Sequence, residues 1–181
     1  MRKLVFGMMQ SLDGYVDGMG DGLQMPPPGP LLGRYLSDRV TRLAGGLYGR
    51  RMYEIMRYWD EDRPEWDEGD HDFAATWRAH PKWVVSRSLT SVGPNATLVG
   101  SDVEAFVRRL NADGDGEIDV AGPELARQLT DAGLIDEYCL YFRPIVLGAG
   151  KPYFAGPRPP LNLVGVERVG EDAVKLTYSP A

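Results

Sequence analysis

The chain has 181 residues, of which 43% are hydrophobic and 25% charged, values that fit a folded domain and exclude a disordered tail. Its formal net charge of −6 is concentrated in one stretch, because residues 60–72 hold eight acids against the single base Arg63. With no basic stripe to displace counterions from phosphates, the composition argues against a nucleic-acid binder.

Met1-Arg2-Lys3 followed by Leu4 to Met9 has the outline of a targeting segment, but Gln10 and Asp13 interrupt the apolar run and no small-residue cleavage site follows. Leu4 to Met9 instead reads as a central strand covered on both faces. Asp17 to Pro30, rich in glycine and proline with Pro26-Pro27-Pro28 among them, cannot be helical, and its length favours a functional loop over a plain connection. Leu32, Leu36, Val40 and Leu43 then follow helical spacing, with Tyr35 and Arg39 alongside, until Gly45-Gly46 stops them. A short strand at Leu47-Tyr48 and a helix over 51–58 lead into the acidic stretch, which reads as a solvated loop.

Beyond it, 72–79 is predicted as a helix, and Lys82 to Ser86 and Thr97 to Val99 as strands. Ser101-Asp102-Val103-Glu104 has the spelling of a capping box, and Val103, Phe106, Val107 and Leu110 share one face of the helix it opens. Glu117 to Ala121 alternates as a strand, and Pro123 presets a helix carrying Leu125, Ala126 and Leu129 up to Gly133. Tyr138 to Val146, Leu161 to Val169 and Ala173 to Tyr178 follow as three strands with no helix between them. The lone Cys139 cannot bridge internally, which points to a reducing, cytoplasmic setting, and no run is long enough to span a membrane. Strands and helices that alternate and then end in strands alone predict an α/β fold, one domain over 1–181. Its three layers would be built on a central, mostly parallel mixed sheet with antiparallel C-terminal strands.

Several junctions of this pattern carry residues with a family likeness. They are Met9-Gln10-Ser11-Leu12-Asp13-Gly14-Tyr15, Leu47-Tyr48-Gly49-Arg50-Arg51-Met52-Tyr53-Glu54 and Val84-Val85-Ser86-Arg87-Ser88-Leu89. Ala121-Gly122-Pro123-Glu124-Leu125-Ala126, Gly133-Leu134-Ile135-Asp136-Glu137 and Pro144-Ile145-Val146-Leu147-Gly148-Ala149-Gly150-Lys151-Pro152 complete the set. In these pieces, in this order, the chain resembles the C-terminal reductase domain of the riboflavin-pathway deaminase-reductases and their stand-alone relatives, which share the dihydrofolate reductase-like fold.

The chemistry of the junctions agrees with the resemblance. Gly49-Arg50-Arg51 lies at a strand end that opens a helix, where free N–H groups favour an anion and the arginines can add bidentate phosphate contacts. Ser86-Arg87 supplies a hydroxyl and a guanidinium suited to a phosphorylated ribose. In Ala121-Gly122-Pro123, continued by Glu124 and Leu125, the glycine admits a pyrophosphate and the proline presets the helix start. Taken singly, each has a plainer role, a solvated arginine or an ordinary turn. Three anion sites on successive strand ends suit a dinucleotide with an extra 2′-phosphate, so the resemblance implies NADPH; the Gly-x-Gly-x-x-Gly fingerprint is absent.

The resemblance further implies hydride transfer to a small heterocycle, either an aminouracil of the 5-amino-6-(5-phosphoribosylamino)uracil type or a pterin or folate-like ring. Asp13 would position the substrate or relay a proton, or else cap the turn with Gly14; Tyr35 and Glu137 would contact the substrate, or else serve as a core aromatic and an exposed acid. Relatives of this kind are often homodimers, and the apolar C-terminal strands could supply the interface. Two departures stand out. The bifunctional enzymes commonly place an acid where this chain has Val120, and two histidines with one cysteine cannot furnish the deaminase zinc set, so His71 and His80 are expected at the surface. Dihydrofolate reductase proper and a non-catalytic nucleotide-binding regulator remain as alternatives. Asn111, Asp113, Asp115, Gly116, Ile118 and Asp119 imitate a calcium loop, but Gly122 occupies the position that requires a bidentate Glu, so no metal is expected.

Overall fold

The computed structural model describes residues 1–20, 24–156 and 158–181. In chain order the elements are β1 (Lys3–Gln10), β2 (Tyr15–Asp17), α1 (Pro30–Arg42), β3 (Gly45–Gly49), α2 (Arg50–Met56), α3 (Glu68–Ala79), β4 (Lys82–Val85) and β5 (Ala96–Val99). They continue with α4 (Val103–Ala112), β6 (Glu117–Ala121), α5 (Pro123–Asp131), β7 (Glu137–Phe142), β8 (Lys151–Pro152), β9 (Leu161–Val169) and β10 (Ala173–Pro180). One sheet has the order β5-β4-β3-β6-β1-β7-β10-β9, parallel from β5 to β7 and closed by antiparallel β10 and β9. β2 and β8 form a separate antiparallel pair.

Alternating side chains send successive residues to opposite helical layers. Leu4, Phe6, Ile118 and Val120 pack with Val107 of α4 and Leu125, Ala126 and Leu129 of α5. On the other face, Val5, Cys139 and Tyr141 meet Leu32 of α1, while Tyr48, Val84 and Ala121 meet Tyr53 of α2 and Trp77 of α3. This is the expected three-layer α/β arrangement, with β1 flanked by parallel strands on both sides.

The boundaries differ where side chains intervene. α1 begins at Pro30, because Glu171 of the β9–β10 turn accepts the Leu31 and Leu32 N–H groups at 2.6 and 3.1 Å. α3 begins at Glu68, ahead of the predicted residue 72, because Asp67 and Asp70 form a reciprocal capping box. The acidic stretch is therefore only partly a loop, and Asp60 and Asp62 are tied down by the Trp77 indole and Arg78 at 2.9 and 2.8 Å. The cap of α4 is Asp102, not Ser101: Asp102 takes a left-handed backbone at φ 48° and accepts the Ala105 N–H. β7 stops at Phe142, since Pro144 has no N–H with which to continue a ladder. The pair β2 and β8 lies in stretches whose sequence carries no strand signal. The predicted loop from Asp17 to Pro30 includes 21–23, which lie outside the described residues; around them Asp17 accepts the Gly18 and Gln24 N–H groups and Lys151.

His71 is exposed as expected, whereas His80 is buried, 6% exposed, beside the fully enclosed Lys82. Of the calcium-like residues, Asp115 holds the N-terminal ammonium at 2.6 Å and Asp119 holds Arg39 at 3.0 Å. Among the described residues no helix is long and apolar enough to cross a membrane.

Candidate functional site

Because β5, β4, β3, β6, β1 and β7 run parallel, their C-terminal ends share one edge of the sheet. Tyr48 is in register with Val84 and Ala121, and Val85 with Gly49 and Val99, so the residues that follow these strands stand side by side. The chain leaves β3 into α2 on one face and β6 into α5 on the other, which makes the gap between these two ends a switch point where open α/β sheets bind ligands. The two helix starts face each other there: a Cβ on Gly122 would lie 3.6 Å from the Met52 Cβ and 3.9 Å from the Gly49 N. Gly122 has φ +111°, a backbone that L side chains rarely adopt, and neither Gly49 nor Gly122 supplies a side-chain cap. The first-turn N–H groups, including those of Glu124 and Leu125, are thus left for an acceptor from outside the helix.

An open groove of 950 Å³ continues from this edge, lined by Arg50, Ser86, Arg87, Ser101, Asp102 and Gln128 among others. Ser86 is buried, and its Oγ accepts the Ser88 and Leu89 N–H groups, which shapes the turn that presents exposed Arg87. Arg50 and Arg51 are exposed, and Arg50 makes a loose 3.6 Å contact with Glu54. The structure therefore brings Gly49, Arg50, Ser86, Arg87, Ala121, Gly122, Pro123, Glu124 and Leu125 to one edge, with Arg51 on the first turn of α2.

The substrate-side expectations divide. Asp13 follows β1 at the same edge, but its oxygens accept the Leu147 and Gly148 N–H groups at 3.1 and 2.7 Å. A hydrogen bond from Ser11, with these backbone bonds, holds its carboxyl below the usual range, and its acceptors serve the loop. Tyr35 lies on α1 with its ring 6.3 Å from Tyr141, and its hydroxyl meets Lys175 at 3.3 Å and Glu167 at 3.5 Å. Glu137 is not at the site. It begins β7, at the opposite end of the strands, and pairs with Lys3 at 2.7 Å. The reason is direction: a residue entering a parallel strand sits five positions, ~17 Å, from the edge where that strand ends. Val120, where an acid was expected of the bifunctional enzymes, is fully buried in the α5-side core.

The sequence reading missed a second feature. Gly7, Met8 and Met9 are only partly covered although they sit in the middle of the sheet, so β1 is open to solvent where it approaches the shared edge. Beneath Gly7 lies Asp119, bonded to Arg39, and beside it Tyr141. The available signals were a glycine inside an apolar run and an acid between Ile118 and Val120 in an alternating strand.

Comparison with known proteins decides the lineage: the RibD C-terminal domain model matches residues 2–175. The chain belongs to the RibD C-terminal domain family. Within that frame, it is 24% identical over 183 residues to the "uncharacterized protein YyaP" of Bacillus subtilis (strain 168), covering 98% of this chain and 94% of that protein. The structure of the "putative riboflavin biosynthesis protein" of Shewanella sp. PV-4 superposes with a TM-score of 0.74 at 25% identity, over 100% of this chain and 99% of the other. Dihydrofolate reductase from Enterococcus faecalis, solved with NADP(H), shares the fold at a TM-score of 0.64 and 14% identity, over 98% and 96% of the two chains. As a RibD C-terminal domain, the protein is of an oxidoreductase family with a dihydrofolate reductase-like fold.

Proposed function

We propose that this RibD C-terminal domain is an NADPH-dependent reductase that passes hydride to a small heterocycle, an aminouracil of the 5-amino-6-(5-phosphoribosylamino)uracil type or a pterin or folate-like ring. The observation that carries the proposal is the meeting of two uncapped helix starts, at Gly49 and Gly122, on the edge where β1 is open to solvent. When bound, the reduced nicotinamide supplies the hydride for an electrophilic carbon of the substrate, which gains a proton on the adjacent atom. The chain's own task is placement. First-turn N–H groups of α2 and α5 would hold the pyrophosphate and Arg50 and Arg87 the 2′-phosphate, while the bare backbone of β1 would let cofactor and substrate meet at this edge.

Because Asp13 is committed to the 147–148 backbone, its role in this proposal is to shape the substrate loop, and Tyr35 borders the substrate cleft. The uncovered apolar residues Leu163, Val166 and Val174 on β9 and β10 support a homodimer. The test is a titration of both nicotinamide cofactors into the wild type and an Arg50→Ala/Arg87→Ala variant. Loss of two phosphate contacts should weaken NADPH by about 100-fold and NADH by less than about threefold. Equal losses would exclude the 2′-phosphate assignment, and tight NADPH binding without oxidation at 340 nm on any heterocycle would favour a binding regulator.

A further inference from the structure

Beneath the bare backbone of β1 lie two polar groups whose hydrogen-bonding capacity the fold leaves partly unused. A Cβ on Gly7 would lie 3.2 Å from Asp119 Oδ1, 3.6 Å from the Cys139 Cβ and 3.6 Å from Tyr141 Cε2, so these side chains surround the bare Cα of a partly exposed strand. Asp119 Oδ1 accepts Arg39 Nη2 at 3.0 Å, while no donor among the described residues reaches Oδ2, and the side chain keeps 19% of its surface open. The Tyr141 hydroxyl is buried without a partner among the described residues. Leaving a buried hydroxyl unpaired carries a desolvation penalty that a bound molecule with a matching acceptor would remove. Burial raises the Tyr141 hydroxyl well above its ordinary range, so it remains a donor. Burial also outweighs the Arg39 guanidinium and lifts Asp119 to about 6, which leaves it mostly an ionised acceptor at neutral pH.

We propose that Asp119 and Tyr141 form the floor of the substrate cleft and select a planar heterocycle whose edge offers an N–H donor next to a carbonyl acceptor, as an aminopyrimidinone does. Asp119 Oδ2 accepts the N–H, Tyr141 donates to the carbonyl, and Arg39, bridging Asp119 and Glu117, holds the carboxylate in place. Gly7 keeps the partly exposed backbone of β1 bare beside these groups, where a Cβ would press on Asp119 Oδ1 at 3.2 Å, and Tyr35 stands behind Tyr141. These are specificity-determining groups, since they hold the ring edge and take no part in the hydride or proton transfer. The assignment rests on the reductase reading only in calling the ring a substrate.

The test is calorimetric titration of 6-aminouracil and of 1,3-dimethyluracil, which lacks the N–H edge, into cofactor-free wild type, Tyr141→Phe and Asp119→Asn. The wild type should bind 6-aminouracil and not the dimethyl compound, and each substitution should weaken 6-aminouracil about tenfold or more while NADPH affinity is unchanged. Tyr141→Phe is the decisive variant, because removing an unpartnered hydroxyl should leave the melting temperature equal or higher, even where Asp119→Asn is destabilised by an uncompensated Arg39. Unchanged 6-aminouracil binding in Tyr141→Phe, equal binding of the dimethyl compound, or no binding of 6-aminouracil by the wild type would each overturn the assignment. Binding of 6-aminouracil without binding of NADPH would uphold the cleft and sink the reductase reading.

Discussion

His80 shows how a residue can be misjudged from its own chemistry. With no metal-ligand set to join, His80 reads as a surface residue, yet it closes α3 with its Nε2 buried and without a partner among the described residues. Burial, aided by the nearby Lys82 charge, pushes its pKa down to about 4. The native state thus refuses a proton that the unfolded chain accepts below pH 6.5, so this contribution to stability is complete above pH 6.5 and is lost as pH falls toward 4. The loss should amount to roughly 2–3 kcal/mol at pH 4.5. Urea melts of wild type and His80→Gln at pH 7 and pH 4.5 check this: the variant should lose less stability on acidification, and identical losses would show that His80 titrates normally.

At the scale of an element, α3 depends on a buried base. Lys82, the first residue of β4, donates to the carbonyls of Trp77 and His80 at 2.6 and 2.7 Å, and its ammonium lies 4.7 Å from the Trp77 ring centroid. The Trp77 carbonyl, which also takes the His80 N–H at 3.3 Å, and the His80 carbonyl stand at the end of the helix, so a cation from the next strand completes the cap. Lys82→Met keeps the stem and removes both bonds, and it should cost about 2 kcal/mol in denaturant unfolding. A variant as stable as the wild type would mean that burying the ammonium costs as much as the two bonds return. The elements themselves were largely legible, because α4 and α5 carry their periodicity within a few residues. What was not legible were starts set from afar, such as the cap on α1 from Glu171, 140 residues away in sequence from Leu31.

For the whole molecule, the helical layers are narrower than the sheet. Leu163, Val166 and Val174 are 57%, 65% and 40% exposed at the antiparallel end. A second copy covering this face would make the protein a homodimer, and sedimentation should then show Val166→Lys/Leu163→Lys as a monomer with NADPH affinity intact, the groove proposed for the nucleotide lying at the other end of the strand order. A wild type that sediments as a monomer at micromolar concentration would refute the dimer.

The α/β order, the parallel core with its antiparallel finish, the strand-to-helix corners at Gly49 and Gly122 and the strand end at Ser86 can be read from residues alone, because they depend on periodicity, glycine, proline and local charge. Which polar side chains face inward, and what they meet, follows from the packing of distant strands and helices. Asp13 spends its oxygens on a loop 134 residues away in sequence, Glu137 lies at the far end of its strand, and Gly7, Asp119 and Tyr141 converge from three strands. Such meetings are set by register and strand order, which bring together residues whose separation along the chain carries no trace of the contact.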